Sequence, residues 1–88
     1  MEIKVREGSV FPLNRSQQVW YGDTPQVMQT ARFAGQEMMA ITNDAGAFEL
    51  DYLGHIGSSF ASIDEAKAAA PDFARLVLER LRNVIQDV

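Results

Sequence analysis

The sequence contains no cysteine, and its 88 residues include one histidine and three prolines. Without thiols the chain can form no disulfide, no thiolate metal site and no cysteine nucleophile. No apolar run approaches the roughly 20 residues of a membrane-spanning helix. The N-terminal MEIKVREGS alternates charged and apolar residues instead of building a signal-peptide core. We therefore expect a cytoplasmic protein that does not bind membranes.

Basic residues are also in short supply, because eight Lys and Arg stand against twelve Asp and Glu, for a net charge of -4. This balance disfavours direct binding to nucleic acid, which depends on cationic contacts to phosphates. The acidity is concentrated between residues 37 and 72, where Lys67 is accompanied by seven carboxylates: Glu37, Asp44, Glu49, Asp51, Asp64, Glu65 and Asp72. Such a segment suits a basic protein partner, for example the nucleic-acid-binding surface of another protein.

The residue types that carry out catalysis do not form a known motif. His55 lies near Ser58 and Ser59 in LGHIGSS, but no nucleophile elbow of the G-x-S-x-G type is present. The carboxylates of NDAGAFELD do not match the offsets of a calcium loop, and GHIG lacks the rest of a phosphate-binding motif. We predict no catalytic residue, no metal site and no cofactor, and hence a protein that is not an enzyme.

The composition and the short-range pattern predict one folded domain over residues 1–88. Hydrophobic residues make up 47% of the chain and charged residues 23%, which is typical of a globular domain. Period-two alternation predicts strands over residues 1–5 and over residues 27–33. The β-branched and aromatic residues Val19 to Tyr21, before GDTP, predict another.

A hairpin has the clearest signal in the chain. Two apolar arms, residues 38–42 and 48–53, flank NDAG, whose Asn, Asp and Gly favour a turn. In the second arm the apolar side chains alternate with Glu49 and Asp51, so one face is predicted to be buried and the other acidic. GHIGSSF, which follows, is predicted to be a loop or the ragged end of that strand.

Ser62 and the residues after it predict a capped helix start. Pro71 then lacks the N-H that a helix interior needs, and a proline costs almost nothing in a first helical turn. We therefore expect a short helix from Ile63 to Ala69 or Ala70 and a second one from near Pro71 to about Gln86. The predicted fold is α+β: an antiparallel sheet of three to five strands with a C-terminal helical segment, broken near Pro71, on one face.

Methionine and aromatic residues are frequent in the predicted strands, and both suit an adaptable contact surface. In a strand only one of Met38 and Met39 can point toward the helix, so the other is apolar surface unless a different part of the protein or a partner covers it. A second covered face, dimerisation and partner binding stay open as explanations. The candidate partner-binding residues are Trp20, Tyr21, Glu37, Met38, Asp44, Glu49 and Asp51.

The stretch GAFELDYLGHIGSSFASIDEAKAAA, residues 46–70, resembles small proteins of bacteriophages and mobile elements in which a strand pair precedes a capped helix rich in Glu, Ala and Lys. It is also similar to the strand-and-helix layout of HicB-type antitoxins and to small anti-CRISPR proteins. Pro71 departs from the first pattern, in which the helix continues unbroken. The resemblance implies an origin and a class of protein. Together with the acidic sheet surface and the lack of a catalytic motif, it favours a non-catalytic protein-binding module that inhibits or modulates a host protein or nucleoprotein complex. The alternative is a homodimeric, antitoxin-like regulator.

Overall fold

The chain forms a five-stranded antiparallel sheet with a helix packed on one face, which confirms the predicted α+β fold. The computed structural model describes residues 1–4, 6 and 16–87. Strands follow in chain order across the sheet, so each pairs with the next one in sequence. The elements are β1 (Tyr21–Thr24), β2 (Met28–Phe33), β3 (Gln36–Thr42), β4 (Phe48–Tyr52), β5 (His55–Phe60) and α1 (Ile63–Arg82).

The predicted hairpin around NDAG is present between β3 and β4. The Asn43 side-chain Oδ1 accepts hydrogen bonds from the backbone N-H of Ala45 and Ala47, at 3.0 and 2.9 Å. This turn sets the register of the two strands, and in β4 the side chains of Glu49 and Asp51 point away from the helix as predicted.

Two-residue turns join β2 to β3 and β4 to β5. Their residues, Ala34 with Gly35 and Leu53 with Gly54, have φ between 49° and 78°, the paired left-handed conformation of a type I′ turn. Because the second turn sends the chain straight back along β4, GHIGSSF contains the whole of β5. The prediction that this segment is a loop or the ragged end of the preceding strand is wrong.

One continuous helix passes through Pro71, so the predicted break is wrong. The buried residues of α1 recur at helical spacing on both sides of the proline: Ile63, Ala66, Ala70, Ala74 and Val77. A break would rotate one half of this stripe off the sheet, and burial of the stripe offsets the roughly 3 kcal/mol that an interior proline costs. The helix also ends at Arg82 instead of near Gln86.

The predicted helix start at Ser62 is confirmed. Ser62 Oγ accepts a hydrogen bond from the Glu65 N-H at 3.0 Å. Glu65 Oε2 in turn accepts from the N-H of Ala61 at 2.9 Å, one residue before the N-H that a capping box uses. Two free donors at the helix terminus are thereby satisfied.

The core lies between α1 and strands β3, β4 and β5. Small residues on the helix permit close approach, and the sheet supplies the largest fully buried side chains, those of Met38, Leu50 and Tyr52. The Tyr52 hydroxyl donates to the Phe33 carbonyl oxygen at 2.5 Å. The Trp20 ring packs with its centroid 5.9 Å from that of Phe33. Trp20 therefore extends the core toward the side of the sheet formed by β1 and β2.

Two strand predictions near the N-terminus differ from the structure. Residues 1–4 form no strand and Ile3 is exposed, while Val5 lies outside the described residues. The first strand begins at Tyr21 and continues through Gly22 to Thr24, where GDTP predicts a turn. Cross-strand pairing with β2 overrides the turn preference of these residues.

Candidate functional site

The face of the sheet opposite α1 is left uncovered in the described part of the chain. Strand pairing brings alternate residues of all five strands to this face. We call it the open face and define it by ten side chains: Tyr21, Met28, Thr30, Arg32, Glu37, Met39, Ile41, Glu49, Asp51 and Ile56.

Apolar side chains occupy the centre of the open face. Met28 lies opposite Ile41, and Thr30 lies between Tyr21 and Met39. Tyr21 and Met28 are 48% and 46% exposed. Thr30, Met39 and Ile41 are half-buried by their neighbours. A sheet face in contact with water usually carries polar side chains, so this apolar centre is the type of patch that marks an interaction site.

Carboxylates border the apolar centre along β4. Asp51 lies opposite Met39 and Glu49 lies opposite Ile41, and the Asn43 side-chain amide donates to Glu49 Oε1 at 3.2 Å. At the end of β2 and β3 next to the turn that joins them, Glu37 lies opposite Arg32. Three carboxylates with one guanidinium give the open face a net charge of -2.

A hollow of about 420 Å³ deepens the open face at β1 and β2; its walls are formed by Tyr21, Gly22, Asp23, Thr24, Met28 and Thr30. A Cβ atom at Gly22 would lie 2.5 Å from the carbonyl oxygen of Met28, so close approach of the two strands requires glycine there. The β1–β2 register shifts between Tyr21 and Thr24. Such a bulge re-aims side chains and blunts the edge of a sheet.

The residues predicted from the sequence to bind a partner do not form one cluster in the structure. Four of them lie on the open face: Tyr21, Glu37, Glu49 and Asp51. Asp44 is exposed in the β3–β4 turn. Trp20 packs against the core and Met38 is fully buried, so in this fold Met38 has no surface to offer a partner.

Sequence reasoning did not select Met39 and Ile41, which with Met28 form much of the apolar centre. The alternation of apolar and acidic residues in β4 indicates that Tyr52 faces the helix, but it does not show which methionine of β3 lies beside Tyr52. Pairing of Met38 with Tyr52 places Met38 on the helix side, and Met39 must then face the other way. The register of two strands is needed to make that choice.

Titratable groups elsewhere in the described chain do not form a reactive cluster. Among the residues described, no three His, Asp or Glu side chains lie together as metal ligands would. His55 Nδ1 is 2.9 Å from the carbonyl oxygen of Leu53, a contact that orients the ring without an acid partner. Burial raises the pKa of Tyr52 above its ordinary value of 10.0, but this phenol lies in the core and faces away from the open face.

Within residues 1–4, 6 and 16–87, no helix combines the length and the apolar character needed to cross a bilayer.

Comparison with protein families, with curated proteins and with solved structures finds no match to this chain. The function must therefore be argued from the open face and the surfaces around it.

Proposed function

We propose that this chain is a small protein-binding module that docks its partner on the open face of the sheet. The apolar centre formed by Met28, Met39 and Ile41 is the observation that carries this proposal, since a face left in water would gain solubility from polar residues there. Methionine side chains are flexible and polarisable and repack easily against different neighbours, which suits them to a protein interface.

The charge of the open face defines the chemistry of the partner. Glu49 and Asp51 form an acidic row directly beside the apolar centre, so basic side chains of a partner would lie over β4 and apolar ones over β2 and β3. A nucleic-acid-binding surface has this basic character, and the module would then compete with nucleic acid for it. Inhibition of a host nucleoprotein complex, the role of anti-CRISPR proteins, is a specific form of this proposal.

A homodimeric regulatory module is the second candidate, because β5 is an edge strand that a second copy could extend. Face-to-face pairing of two open faces is disfavoured, since it would bring together two surfaces of net charge -2. A partner of opposite charge satisfies the open face better than a second copy does.

Affinity capture from an extract of the native host, read out by mass spectrometry, tests the proposal. A protein retained by the wild-type chain should be lost with Met39→Ser and with the double variant Glu49→Lys/Asp51→Lys. The matched control is Glu79→Lys/Asp87→Lys, which makes the same change of net charge at exposed positions away from the sheet. Retention of that protein by all variants alike would overturn the proposal.

A further inference from the structure

We propose that the groove between edge strand β5 and α1 binds an extended peptide segment whose α1-facing side chains, which occur at every second position, are apolar and acidic in turn. The groove has a volume of about 380 Å³ and is lined by His55, Ile56, Phe73, Leu76, Val77 and Arg80. It lies between the sheet edge and α1, shares Ile56 alone with the residues that define the open face, and carries the opposite charge, so this inference stands independently of the docking surface proposed above.

The backbone of β5 supplies the first reason for a peptide occupant. β5 pairs with β4 on one side and is the last strand of the sheet among the described residues. Its pairing is regular over residues 55–57, beside the groove, and shifts register beyond them, where Ser59 has a positive φ. Its outward N-H and C=O groups therefore have no strand partner among the described residues, and an added strand would satisfy them. The groove runs beside this edge, where alternate side chains of an added strand would point toward α1.

The floor of the groove accepts an apolar side chain. The Phe73 ring lies directly over Gly57, where a Cβ atom would be 3.0 Å from Phe73 Cε1. Glycine at this point lets the aromatic ring rest on the strand and form the base of the groove. Leu76, 65% exposed, forms a wall that no described residue covers.

The charge of the groove selects acidic side chains. Arg80 makes no ion pair with a described residue, and the residues three and four positions from it on either side are uncharged: Leu76, Val77, Asn83 and Val84. His55 adds a second polar group. Because a carbonyl oxygen can only accept, the ring donates from Nδ1 to Leu53. Nε2 of the neutral ring is then an acceptor for a hydrogen-bond donor of the peptide, and the positive charge of the groove comes from Arg80. A carboxylate beside the apolar floor would contact Arg80.

Binding of the hexapeptide Val-Ser-Glu-Ser-Val-Ser, whose valine and glutamate side chains share one face of an extended strand and whose length matches the six residues of β5, tests this proposal by NMR titration of the ¹⁵N-labelled chain. We expect shifts of the amides of His55–Phe60 and small changes on β1 and β2. The counterpart with lysine in place of glutamate should bind about tenfold more weakly, because it loses a charge-assisted contact.

Two pairs of variants distinguish the groove from a general charge or apolar effect. Arg80→Glu should weaken binding of the valine–glutamate peptide about tenfold, whereas Arg82→Glu, with the same charge change outside the groove, should not. Leu76→Ser should weaken it while Val84→Ser, at a similarly exposed position, should not. All four positions are exposed, so the fold is expected to persist.

Three results would overturn the proposal: no shifts in β5, equal affinity for the two peptides, or β5 shifts that depend on protein concentration without peptide. The last would assign the groove to a second copy of the chain. None of these results bears on the open face, where the capture experiment uses different variants.

Discussion

Two adjacent methionines of β3 have opposite environments. Met38 lies opposite Tyr52 and is fully buried against the helix, while Met39 lies opposite Asp51 on the open face. The same side-chain chemistry therefore fills the core at one position and offers contact surface at the next. Strand geometry makes this division, since consecutive side chains point to opposite faces.

The buried Tyr52 makes the stability of the core depend on pH in the alkaline range. Burial raises its pKa above the ordinary value of 10.0, so the folded state holds the phenolic proton more tightly than the unfolded chain does. The stability that this group contributes is fully present below pH 10 and is lost as the pH rises through the folded-state pKa.

We therefore predict that thermal stability falls as the pH rises above 10, the ordinary pKa of tyrosine, as measured by circular dichroism. Tyr52→Phe should be less stable at neutral pH by about 1 kcal/mol, since it loses the hydrogen bond to Phe33. It should also show a shallower alkaline decline. Tyr21→Phe, at an exposed position, is the control and should keep the wild-type pH profile. An unchanged decline in Tyr52→Phe would contradict the assignment.

The helix α1 keeps one axis although Pro71 interrupts its hydrogen bonds. The proline leaves the Lys67 carbonyl oxygen without its usual helical donor. Alanines at positions 66, 70 and 74 are nevertheless buried in one stripe, which requires a continuous helix. Packing against the sheet therefore outweighs the local preference of the proline.

Replacement of Pro71 by alanine should raise the free energy of unfolding by about 1 to 3 kcal/mol, because it restores a backbone donor within an existing helix. Urea denaturation followed by circular dichroism measures the change. The matched variant Ala68→Pro, at an exposed position in the same helix, should lower the free energy of unfolding by a comparable amount. A loss of stability in Pro71→Ala would show that the ring's contacts in the hollow formed with Phe33 and Leu78 matter more than the missing hydrogen bond.

The folded chain has two candidate binding surfaces that differ in charge. The open face is apolar at its centre and acidic at its border, whereas the β5 groove carries Arg80 and His55 beside an apolar floor. Their opposite charges suit different partners. The net charge of the open face also opposes its pairing with a second open face.

Sedimentation equilibrium at micromolar protein concentration should accordingly show a monomer. Glu49→Gln/Asp51→Asn, which removes two negative charges and keeps the shape of the face, should raise the weight-average mass at the highest concentrations. The corresponding change at Glu79 and Asp87, to Gln and Asn, should leave the mass unchanged. A wild-type dimer at every concentration would favour the homodimeric module over the heterologous partner.

Part of this structure was accessible from the sequence, because the relevant signals lie within a few residues of one another. The NDAG hairpin, the alternation of Leu50 and Tyr52 with Glu49 and Asp51, and the cap at Ser62 each depend on local chemistry. The acidic border of the candidate site follows from the same alternation. The apolar centre does not, because it requires the pairing of β2 with β3 and of β3 with β4.

The sequence alone establishes the class of the fold, the acidic face of β4 and the start of α1, since these follow from side-chain period and capping. Tertiary contacts decide the rest. Burial of the alanine stripe keeps α1 continuous through Pro71, pairing with β4 turns GHIGSSF into an edge strand, and register assigns Met38 to the core and Met39 to the open face. In each case residues distant in sequence contribute more free energy than the local preference they override.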